Sequence, residues 1–460
     1  MAKLYIFGIG GTGSRVLRSL TMLLAAGVDT NKYDIVPIII DPDVANADLT
    51  RNVLLLNRYN SIRSRLSFTG ESKNTFFRTS IKEEINNFTI PIPNTNNKTF
   101  EQFIDIANMD VENQAMAEML FSQKNLNSSM QVGFKGNPNM GSVVLNQIAD
   151  SEEFRNFANS FVSGDRIFII SSIFGGTGAS GFPLLLKTFR QNKSFPNSSA
   201  INNAEIGAVS VLPYFKLEQD DNSEIDSSTF FTKTRAALKY YQNNVDEINA
   251  LYYIGNEPVN SYKNAEGGNL QKNNAHLIEV LAATAIIDFC KNNFQGQKTS
   301  YRELGLDTDM KTITLKAFPN NGMRNTYVYP LMELALFAKS LVDDFDFVGS
   351  SQLKANKIFD NEFYGNDFVT SVRNFLIDFK QWLEELSDNS PSFIPFNMNS
   401  ELKDLVTDVK AKKHFWSKLD NNTYRAELNG ISPKSKTNED KFMEIYCLAS
   451  KNIAKNKYQF

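Results

Sequence analysis

Three glycine-rich segments carry the residues of this sequence that are best suited to chemistry. They read GIGGTGS at residues 8–14, GFKGNPNMG at 133–141 and FGGTGAS at 174–180, and we call them the first, second and third glycine loops. Each precedes a helical pattern, and the first and third also follow an apolar strand pattern. Such a backbone lets N–H groups approach a phosphate and points a helix N-terminus at the anion. The loops therefore predict phosphate binding, with hydroxyl groups added by Thr12, Ser14 and Thr177.

The first glycine loop taken alone admits two other interpretations. It satisfies the G-x-G-x-x-G fingerprint of dinucleotide-binding folds, in which Asp41 at the end of the next strand would hold a ribose. It also suits a tight strand-to-helix turn that needs glycine for a positive φ. An NAD-dependent oxidoreductase uses the first loop but leaves the second and third unexplained, so it is the less favoured alternative.

Four polar side chains outside the loops suit other parts of a nucleotide. Asp41 and Asp43 can hold a magnesium ion through water, because this ion sheds its water shell reluctantly. A solvated turn around Pro42 is the alternative. The amides of Asn256 and Asn274 can offer both a donor and an acceptor to the edge of a base. Alternatively, Asn256 is a turn residue and Asn274 caps a helix, both of which are common roles for Asn.

The elements that must position these residues alternate between short apolar runs and helical patterns, which is typical of βαβ units around a parallel sheet. Strands are predicted at residues 3–8, 33–40, 166–173, 206–212 and 251–254. Helices are predicted at residues 14–26, 141–162, 182–189, 230–245 and 275–294, and then at 329–345, 368–386 and 441–454. A stretch rich in Asn, Ser and Thr, with helical pieces near 53–65 and 100–121, is interpreted as an insertion on the domain surface.

The composition excludes several classes of protein. The 460 residues include 48 basic and 51 acidic side chains, so no overall positive field exists to hold nucleic acid. Two cysteines are too few for a disulfide framework and indicate a reducing, cytoplasmic setting. With only His276 and His414, zinc, Ser-His-Asp and Cys-His enzymes are set aside. No apolar stretch reaches the roughly 20 residues that span a bilayer, so no membrane insertion is expected.

The three glycine loops, in this order, resemble those of the tubulin/FtsZ superfamily of nucleotide-dependent filament proteins. The first is similar to the loop under the α and β phosphates, and the second to the G-x-x-x-N-P-x-x-G loop that faces the γ-phosphate in FtsZ. The GGTG at 175–178 matches the heart of the tubulin signature, although Phe174 replaces its leading glycine. The resemblance covers about residues 1–290.

This resemblance implies a guanine-nucleotide site. Glu218 follows a Pro-aromatic stretch similar to the one that leads to the ribose loop, and Asn256 and Asn274 stand where tubulin reads guanine. Asp41 and Asp43 match the acidic loop near the metal, which implies Mg²⁺. The implied nucleotide-binding residues are Gly10, Gly11, Thr12, Gly13, Ser14, Asp41, Gly136, Asn137, Gly175, Gly176, Thr177, Gly178, Glu218, Asn256 and Asn274.

Catalysis is the part of the resemblance with the weakest match. In the superfamily, acidic residues in the loop after the central helix serve the nucleotide of the next subunit. The nearest candidates here are Glu303, Asp307 and Asp309, and their spacing differs from the N-x-D-x-x-D of FtsZ. Asp307 and Asp309 are the predicted catalytic residues. A solvated turn before a strand at 312–315 is the alternative.

The prediction as a whole is an α/β protein with a tubulin/FtsZ-type parallel-sheet nucleotide domain. That domain is expected at residues 1–272, with a surface insertion at about 48–130, followed by a central helix at 273–296 and a smaller, helix-rich C-terminal domain at 297–460. The expected function is binding of GTP or GDP with Mg²⁺, and slow GTP hydrolysis on self-association into filaments or oligomers. A nucleotide-regulated scaffold that does not polymerise is the alternative.

Overall fold

The structure is a computed structural model. It describes residues 1–31, 33–43, 45–68, 72–130, 133–134, 136–218, 229–258, 261–262, 272–294, 296, 298–305, 311–317, 321–343, 358–411 and 419–458.

Six strands form one parallel sheet in the order β2-β1-β3-β4-β6-β8, which confirms the predicted α/β class. The described strands, in chain order, are β1 (Lys3–Ile9), β2 (Asp34–Ile40), β3 (Arg166–Ser172), β4 (Glu205–Val211), β5 (Lys216–Leu217), β6 (Ala250–Gly255), β7 (Ser261–Tyr262), β8 (Ser300–Gly305), β9 (Thr312–Ile313) and β10 (Ser392–Phe393). The central strands are buried over nearly their whole length, as expected of a parallel sheet covered on both faces.

The register brings the carboxyl ends of these strands to one edge of the sheet. Ile9 pairs with Ile40, and Val211 pairs with both Ser172 and Ile254. The segments that follow β1, β2, β3, β4 and β6 therefore leave the sheet side by side, which is where parallel α/β sheets bind ligands.

Helices cover the two faces of the sheet and build most of the C-terminal part. The first thirteen are α1 (Gly10–Ala25), α2 (Ala47–Arg63), α3 (Phe100–Ile104), α4 (Val111–Leu120), α5 (Gln123–Leu126), α6 (Pro138–Leu145), α7 (Glu152–Ser160), α8 (Gly176–Gln191), α9 (Ser198–Asn202), α10 (Phe230–Asn244), α11 (Leu277–Lys291), α12 (Asn321–Met323) and α13 (Tyr329–Ala338). The longer helices beyond them are Asp367–Ser387, Asn421–Gly430 and Asn438–Lys457.

The predicted helix at 141–162 is two helices, α6 and α7. A 3-10 turn at Ile148–Asp150 separates them, and the Ser151 hydroxyl then caps α7 by accepting from the Phe154 N–H at 3.1 Å. The apolar spacing runs through both because their buried side chains belong to one core. The predicted helix at 329–345 is helical through residue 343, with α13 passing into a π-helical turn at Lys339–Asp343, and residues 344–345 lie outside the described residues.

Part of the segment interpreted as a surface insertion is buried. Phe76 stacks on Phe337 of α13 with ring centroids 5.5 Å apart, and Phe77 meets Phe375 edge-on at 4.9 Å. The same segment forms isolated parallel bridges from Ile81 and Thr89 to β2. It therefore joins the sheet edge to the helices of the C-terminal part, while the predicted domain boundaries stay a prediction.

The central helix α11 is apolar and buried on nearly every side, as the sequence predicts, and it packs against α1, β4 and β6. In the part of the chain that the structure describes, no helix combines the length and the apolar character needed to cross a bilayer.

Candidate functional site

The three glycine loops meet at the carboxyl edge of the sheet. A Cβ atom added to Gly10 of the first loop would lie 3.6 Å from the Cβ of Thr177 in the third. A Cβ atom on Gly176 of the third would lie 2.9 Å from the backbone N of Asn137 and 3.2 Å from that of Gly136, both in the second loop. Residues 167 positions apart in sequence, Gly10 and Thr177, thus lie side by side, and the three loops adjoin one another.

Two of the loops form the first turns of helices. Helix α1 begins at Gly10 and α8 at Gly176, so the helices start earlier than the sequence predicts. Among the described residues no side chain caps either first turn. The first N–H groups of a helix have no partner within the helix and carry the positive end of its dipole. Both helix starts can therefore bind an anion.

The glycines of these loops have separable roles. Gly10 has φ +67°, which only glycine adopts readily. Gly13 has an ordinary φ, but a Cβ atom there would lie 2.3 Å from the carbonyl carbon of Gly8, and one on Gly178 would lie 2.5 Å from the carbonyl oxygen of Ser172. Gly13 and Gly178 therefore let each helix pack tightly on its own preceding strand, which fixes the loop in place.

The predicted hydroxyl groups differ in burial. Ser14 is completely buried, and its Oγ has no hydrogen-bond partner among the described residues. The Thr12 Oγ1, also buried, accepts from the Arg15 Nη2 at 3.3 Å. Thr177 is half-buried in the first turn of α8, beside Gly10. Of the three, Thr177 is the most accessible.

The start of α6 is arranged differently from those of α1 and α8. The Asn137 side chain caps it, accepting from the N–H groups of Asn139 at 3.1 Å and Met140 at 3.4 Å. Gly136, just before it, has φ +74° and lies against the third loop. Unlike α1 and α8, α6 therefore begins with N–H groups that are already bonded to a side chain.

Asp41 and Asp43 follow β2 directly and are buried. The Asp43 N–H donates to the Asp41 Oδ1 at 3.0 Å, and the Ala45 N–H donates to the Asp43 Oδ1 at 3.2 Å. Burial raises the pKa of Asp41 to about 7, opposed by the hydrogen bond from the Asp43 backbone. The alternative of a solvated turn is therefore wrong in one respect, because these carboxylates are shielded from solvent.

The acidic pair lies beside the second glycine loop, since a Cβ atom on Gly133 would lie 3.8 Å from the Cγ of Pro42. The described residues contain no group of three or more His, Cys, Asp or Glu side chains placed to hold a metal. Two carboxylates beside a glycine loop suit Mg²⁺, an ion that keeps several waters and takes few ligands from the protein.

Of the residues predicted to read the ribose and base, only Asn256 directly follows a strand of the six-stranded sheet, whereas Asn274 lies between Asn273, whose N–H donates to Asp48, and Ala275, whose N–H donates to Glu385. Asn256 follows β6 directly and is half-buried, whereas Glu218, just after β5, is exposed. Asn274 is exposed and does not cap α11, because His276 does so: the Ile278 N–H donates to its Nδ1 at 3.1 Å. The cap alternative for Asn274 is therefore wrong, and His276 is a buried, structural residue whose pKa burial lowers.

A buried ionic cluster under the first glycine loop is the feature that the sequence interpretation missed. Arg15 donates through Nε to the Glu279 Oε1 at 2.6 Å, through Nη1 to the Asp48 Oδ2 at 2.8 Å and through Nη2 to the Tyr214 hydroxyl at 2.9 Å. A Cβ atom on Gly11 would lie 3.3 Å from the Arg15 Nη1, so this guanidinium is the floor of the loop. Burial lowers the pKa of Arg15, but Tyr214, Glu279 and Asp48 more than offset this and raise it well above its ordinary value.

The cluster continues into the C-terminal part through Glu385 on the helix Asp367–Ser387. Its carboxylate accepts from the Arg18 Nη1 at 2.5 Å, the Arg51 Nη1 at 3.0 Å and the Ala275 N–H at 2.9 Å. Arg51 also pairs with the Asp48 Oδ1 at 2.8 Å. We call this set of residues the ionic floor; it comprises Arg15, Arg18, Arg51, Asp48, Glu279, Glu385 and Tyr214. Polar side chains in otherwise apolar helices, such as Glu279 in α11, are the sequence signal that could have indicated it.

The predicted catalytic residues Asp307 and Asp309 lie outside the described residues. Glu303, their neighbour in sequence, is exposed on the edge strand β8.

The fold and site define an α/β protein whose parallel sheet brings three glycine loops and two carboxylates together at one edge. No protein-family model and no curated protein matches the sequence. Several solved structures do match, and CetZ and FtsZ proteins are among them.

Three of these structures illustrate how far the likeness extends. CetZ from Methanosaeta thermophila strain DSM 6194 is 16% identical with a TM-score of 0.26, over 55% of this chain and 46% of that one. CetZ2 from Haloferax volcanii, in a GTPγS-bound protofilament, is 13% identical with a TM-score of 0.27, over 55% and 49%. An empty FtsZ dimer from M. jannaschii is 16% identical with a TM-score of 0.28, over 63% and 53%. The chain spans about half the length of the structures it matches, and at these scores the likeness says nothing of its ligand.

Proposed function

We propose that this chain is a divergent tubulin/FtsZ-like protein that binds GTP or GDP with Mg²⁺ at the carboxyl edge of its sheet. The observation that carries the proposal is the meeting of the three glycine loops: a Cβ atom added to Gly10 would lie 3.6 Å from the Cβ of Thr177, and one added to Gly176 would lie 2.9 Å from the backbone N of Asn137. Two adjoining helix starts without side-chain caps favour phosphate groups at that point. Neither a dinucleotide fold nor a set of unrelated turns requires all three loops to converge.

Asp41 and Asp43 would hold the magnesium ion, and Asn256 and Asn274 would read the base. The strand order supports this arrangement, because the acidic pair follows β2 at one end of the sheet and Asn256 follows β6 near the other. A nucleotide lying across the edge would then have its base near β6 and its phosphates over β3 and β1. Glu218, in the segment after β4, would face the ribose between them.

Titration calorimetry tests the binding step. GTP and GDP should bind much more tightly than ATP or NAD, and Asn256→Ala should weaken guanine binding by about 1 to 3 kcal/mol because it leaves base groups unpaired. The exposed Asn203→Ala, in the loop after α9, serves as the matched control. Equal affinity for GTP and ATP would reject the base assignment, and no binding of any nucleotide would reject the proposal.

Hydrolysis on self-association is a further step of the proposal. Phosphoryl transfer to water needs an oriented water as well as bound phosphates, and the glycine loops supply N–H groups and hydroxyls for the phosphates. Asp307 and Asp309 would orient the water in the site of an adjoining copy. Turnover per molecule should then rise above a threshold concentration, and Asp307→Ala or Asp309→Ala should abolish it without weakening GTP binding.

Measurement of turnover across a dilution series, with electron microscopy of the same samples, tests this step. Constant turnover per molecule would reject a shared site. Tight GTP binding with no turnover at any concentration would favour the alternative, a nucleotide-regulated scaffold, for which the altered spacing of the acidic residues is the supporting observation.

A further inference from the structure

Helix α4 exposes an apolar face to solvent. Its exposed apolar side chains recur at helical spacing and are Val111, Ala115, Met116, Met119 and Leu120. Val111 is 77% and Met119 87% exposed. The opposite side of the helix is held in place, since Ala117 is buried and Phe121, just after the helix, meets Phe100 edge-on at 4.7 Å. A contiguous exposed face that includes methionines is typical of a protein-binding surface.

The surroundings of this apolar face are acidic. Glu112 and Glu118 are exposed on α4, and Asp110 caps the helix. Residues 99–123 contain five acidic and no basic side chains. Like charges would oppose the pairing of this face with itself or with an anionic membrane. The partner that fits it is therefore a basic surface with an apolar centre.

Helix α10 exposes a face of the opposite charge. Its buried side includes Phe230, which packs on Phe174 with ring centroids 5.1 Å apart. A different side of the helix carries exposed residues at helical spacing, which are Phe231, Arg235, Leu238 and Lys239. Phe231 is 49% exposed. Residues 230–244 contain three basic and no acidic side chains.

The two faces lie on different parts of the same chain. Helix α4 follows the segment that bridges to β2, at one end of the sheet, whereas α10 connects β4 to β6 and packs on α8. Both faces are exposed in the chain by itself, so each is available to a neighbour. Because one face is acidic, the other basic and both partly apolar, a second copy of this chain has the surface that α4 requires.

We infer that α4 of one copy docks on α10 of a second copy, with Glu112 of α4 facing Arg235 of α10. Each of these charges has apolar neighbours on its own helix, because Glu112 lies four residues before Met116 and Arg235 four residues after Phe231. The contact joins two different surfaces, so it repeats head to tail and forms a ring or an open chain of copies. The inference goes beyond the proposed function and does not require a nucleotide, since neither face includes a residue of the glycine loops.

Sedimentation velocity of the full chain without nucleotide, over a wide range of concentrations, tests the inference. Wild-type protein should form species larger than a monomer as its concentration rises, and high salt should reduce them because it screens the charges. Met119→Gln should weaken the association about tenfold, since it removes apolar area from the contact. The matched control is Leu54→Gln, which alters an exposed apolar residue of α2 and should leave the association unchanged.

An exchange of charges identifies the two surfaces. Glu112→Arg and Arg235→Glu should each abolish the association, because each brings like charges together. A mixture of the two variants in equal amounts should restore it, because every contact between unlike copies then joins opposite charges. Glu384→Arg, at an exposed position on the helix Asp367–Ser387, is the control and should have no effect alone or in a mixture. Unchanged melting temperatures would show that the variants fold.

The outcomes separate this inference from the proposed function. A wild-type protein that stays monomeric at every concentration, or a mixture that does not restore association, overturns the inference. Recovery of association on mixing supports it. Calorimetry with GTP on the same samples tests the nucleotide site independently: association without nucleotide binding would reject the binding proposal alone, and nucleotide binding by a protein that stays monomeric would reject this inference alone.

Discussion

The glycine loops and the ionic floor beneath them are assembled in opposite ways. Each loop is a run of seven to nine adjacent residues, and its conformation follows from local chemistry such as the positive φ of Gly10. The floor joins residues that are far apart, with Arg15 and Glu279 separated by 264 positions and Arg18 and Glu385 by 367. The part that would touch a ligand is therefore local in sequence, and the part that supports it is not.

The difference extends to energetics. The first and third loops are partly accessible, at Gly11, Gly175 and Thr177, so changes in the loops should act on binding. The floor holds three arginines and three carboxylates within the protein, and each charge is acceptable there only while its partners remain. Because the floor also ties α1, α2 and α11 to the helix Asp367–Ser387, changes in it should act first on the stability of the whole chain.

The largest effect is expected from Arg15→Met, which would test the comparison directly. The substitution leaves the buried Glu279 without its arginine partner and Asp48 with Arg51 alone, and it should lower the free energy of unfolding by about 3–5 kcal/mol. Denaturant unfolding of the full chain measures it. Lys403→Met, which removes an exposed ion pair with Glu401, is the control and should be without measurable effect. If Arg15→Met lowers the free energy of unfolding no more than Lys403→Met does, the ionic floor does not stabilise the chain in the way proposed.

A buried carboxylate outside the ionic floor shows what burial does to an acidic side chain that has no such partners. Glu333 on α13 is buried, and among the described residues it has no ion pair. Burial raises the pKa of Glu333 to about 7, while Lys451 and Lys455 lower it. Glu333 is therefore expected to be neutral in the folded state under mildly acidic conditions.

This difference predicts a pH dependence of stability. The pKa of Glu333 is higher in the folded state than in the unfolded state. The folded state is therefore most stable below about pH 4.5, where Glu333 is neutral in both states, and it loses this stability as the pH rises through about 7. The total loss should be about 3 kcal/mol, from 1.36 kcal/mol for each pKa unit. Unfolding of wild type and Glu333→Gln from pH 4.5 to 8 should show a shallower decline in the variant. Parallel curves would mean that Glu333 is ionised throughout.

The sequence predicted the parts of the molecule that depend on neighbouring residues. Strands β1, β2, β3, β4 and β6 are predicted to within one residue at each end, because apolar runs act locally, whereas the two-residue β5 was not predicted. The helix at 141–162 was predicted as one element, since periodicity does not reveal a break whose two sides face the same core.

What the sequence did not reveal depends on tertiary contacts. The partners of Arg15 come from α2, α11 and the segment after β4, and nothing near Arg15 in sequence points to them. The burial of Phe76 and Phe77 likewise requires α13 and the helix Asp367–Ser387.

The smallest effect is expected from the acidic pair, which belongs to both regions because it is buried like the floor and adjoins a loop. Asp41→Asn with Asp43→Asn keeps the size of both side chains, and the amide oxygens can still accept from the N–H groups of Asp43 and Ala45. Stability should therefore change little, in contrast to Arg15→Met.

If Mg²⁺ is held through water, the double variant should reduce the magnesium enhancement of GTP binding by less than about tenfold and leave GDP binding without metal unchanged. Calorimetric titrations at several magnesium concentrations measure both. A large loss of stability would place the pair with the floor, and unchanged magnesium dependence would return it to a structural turn.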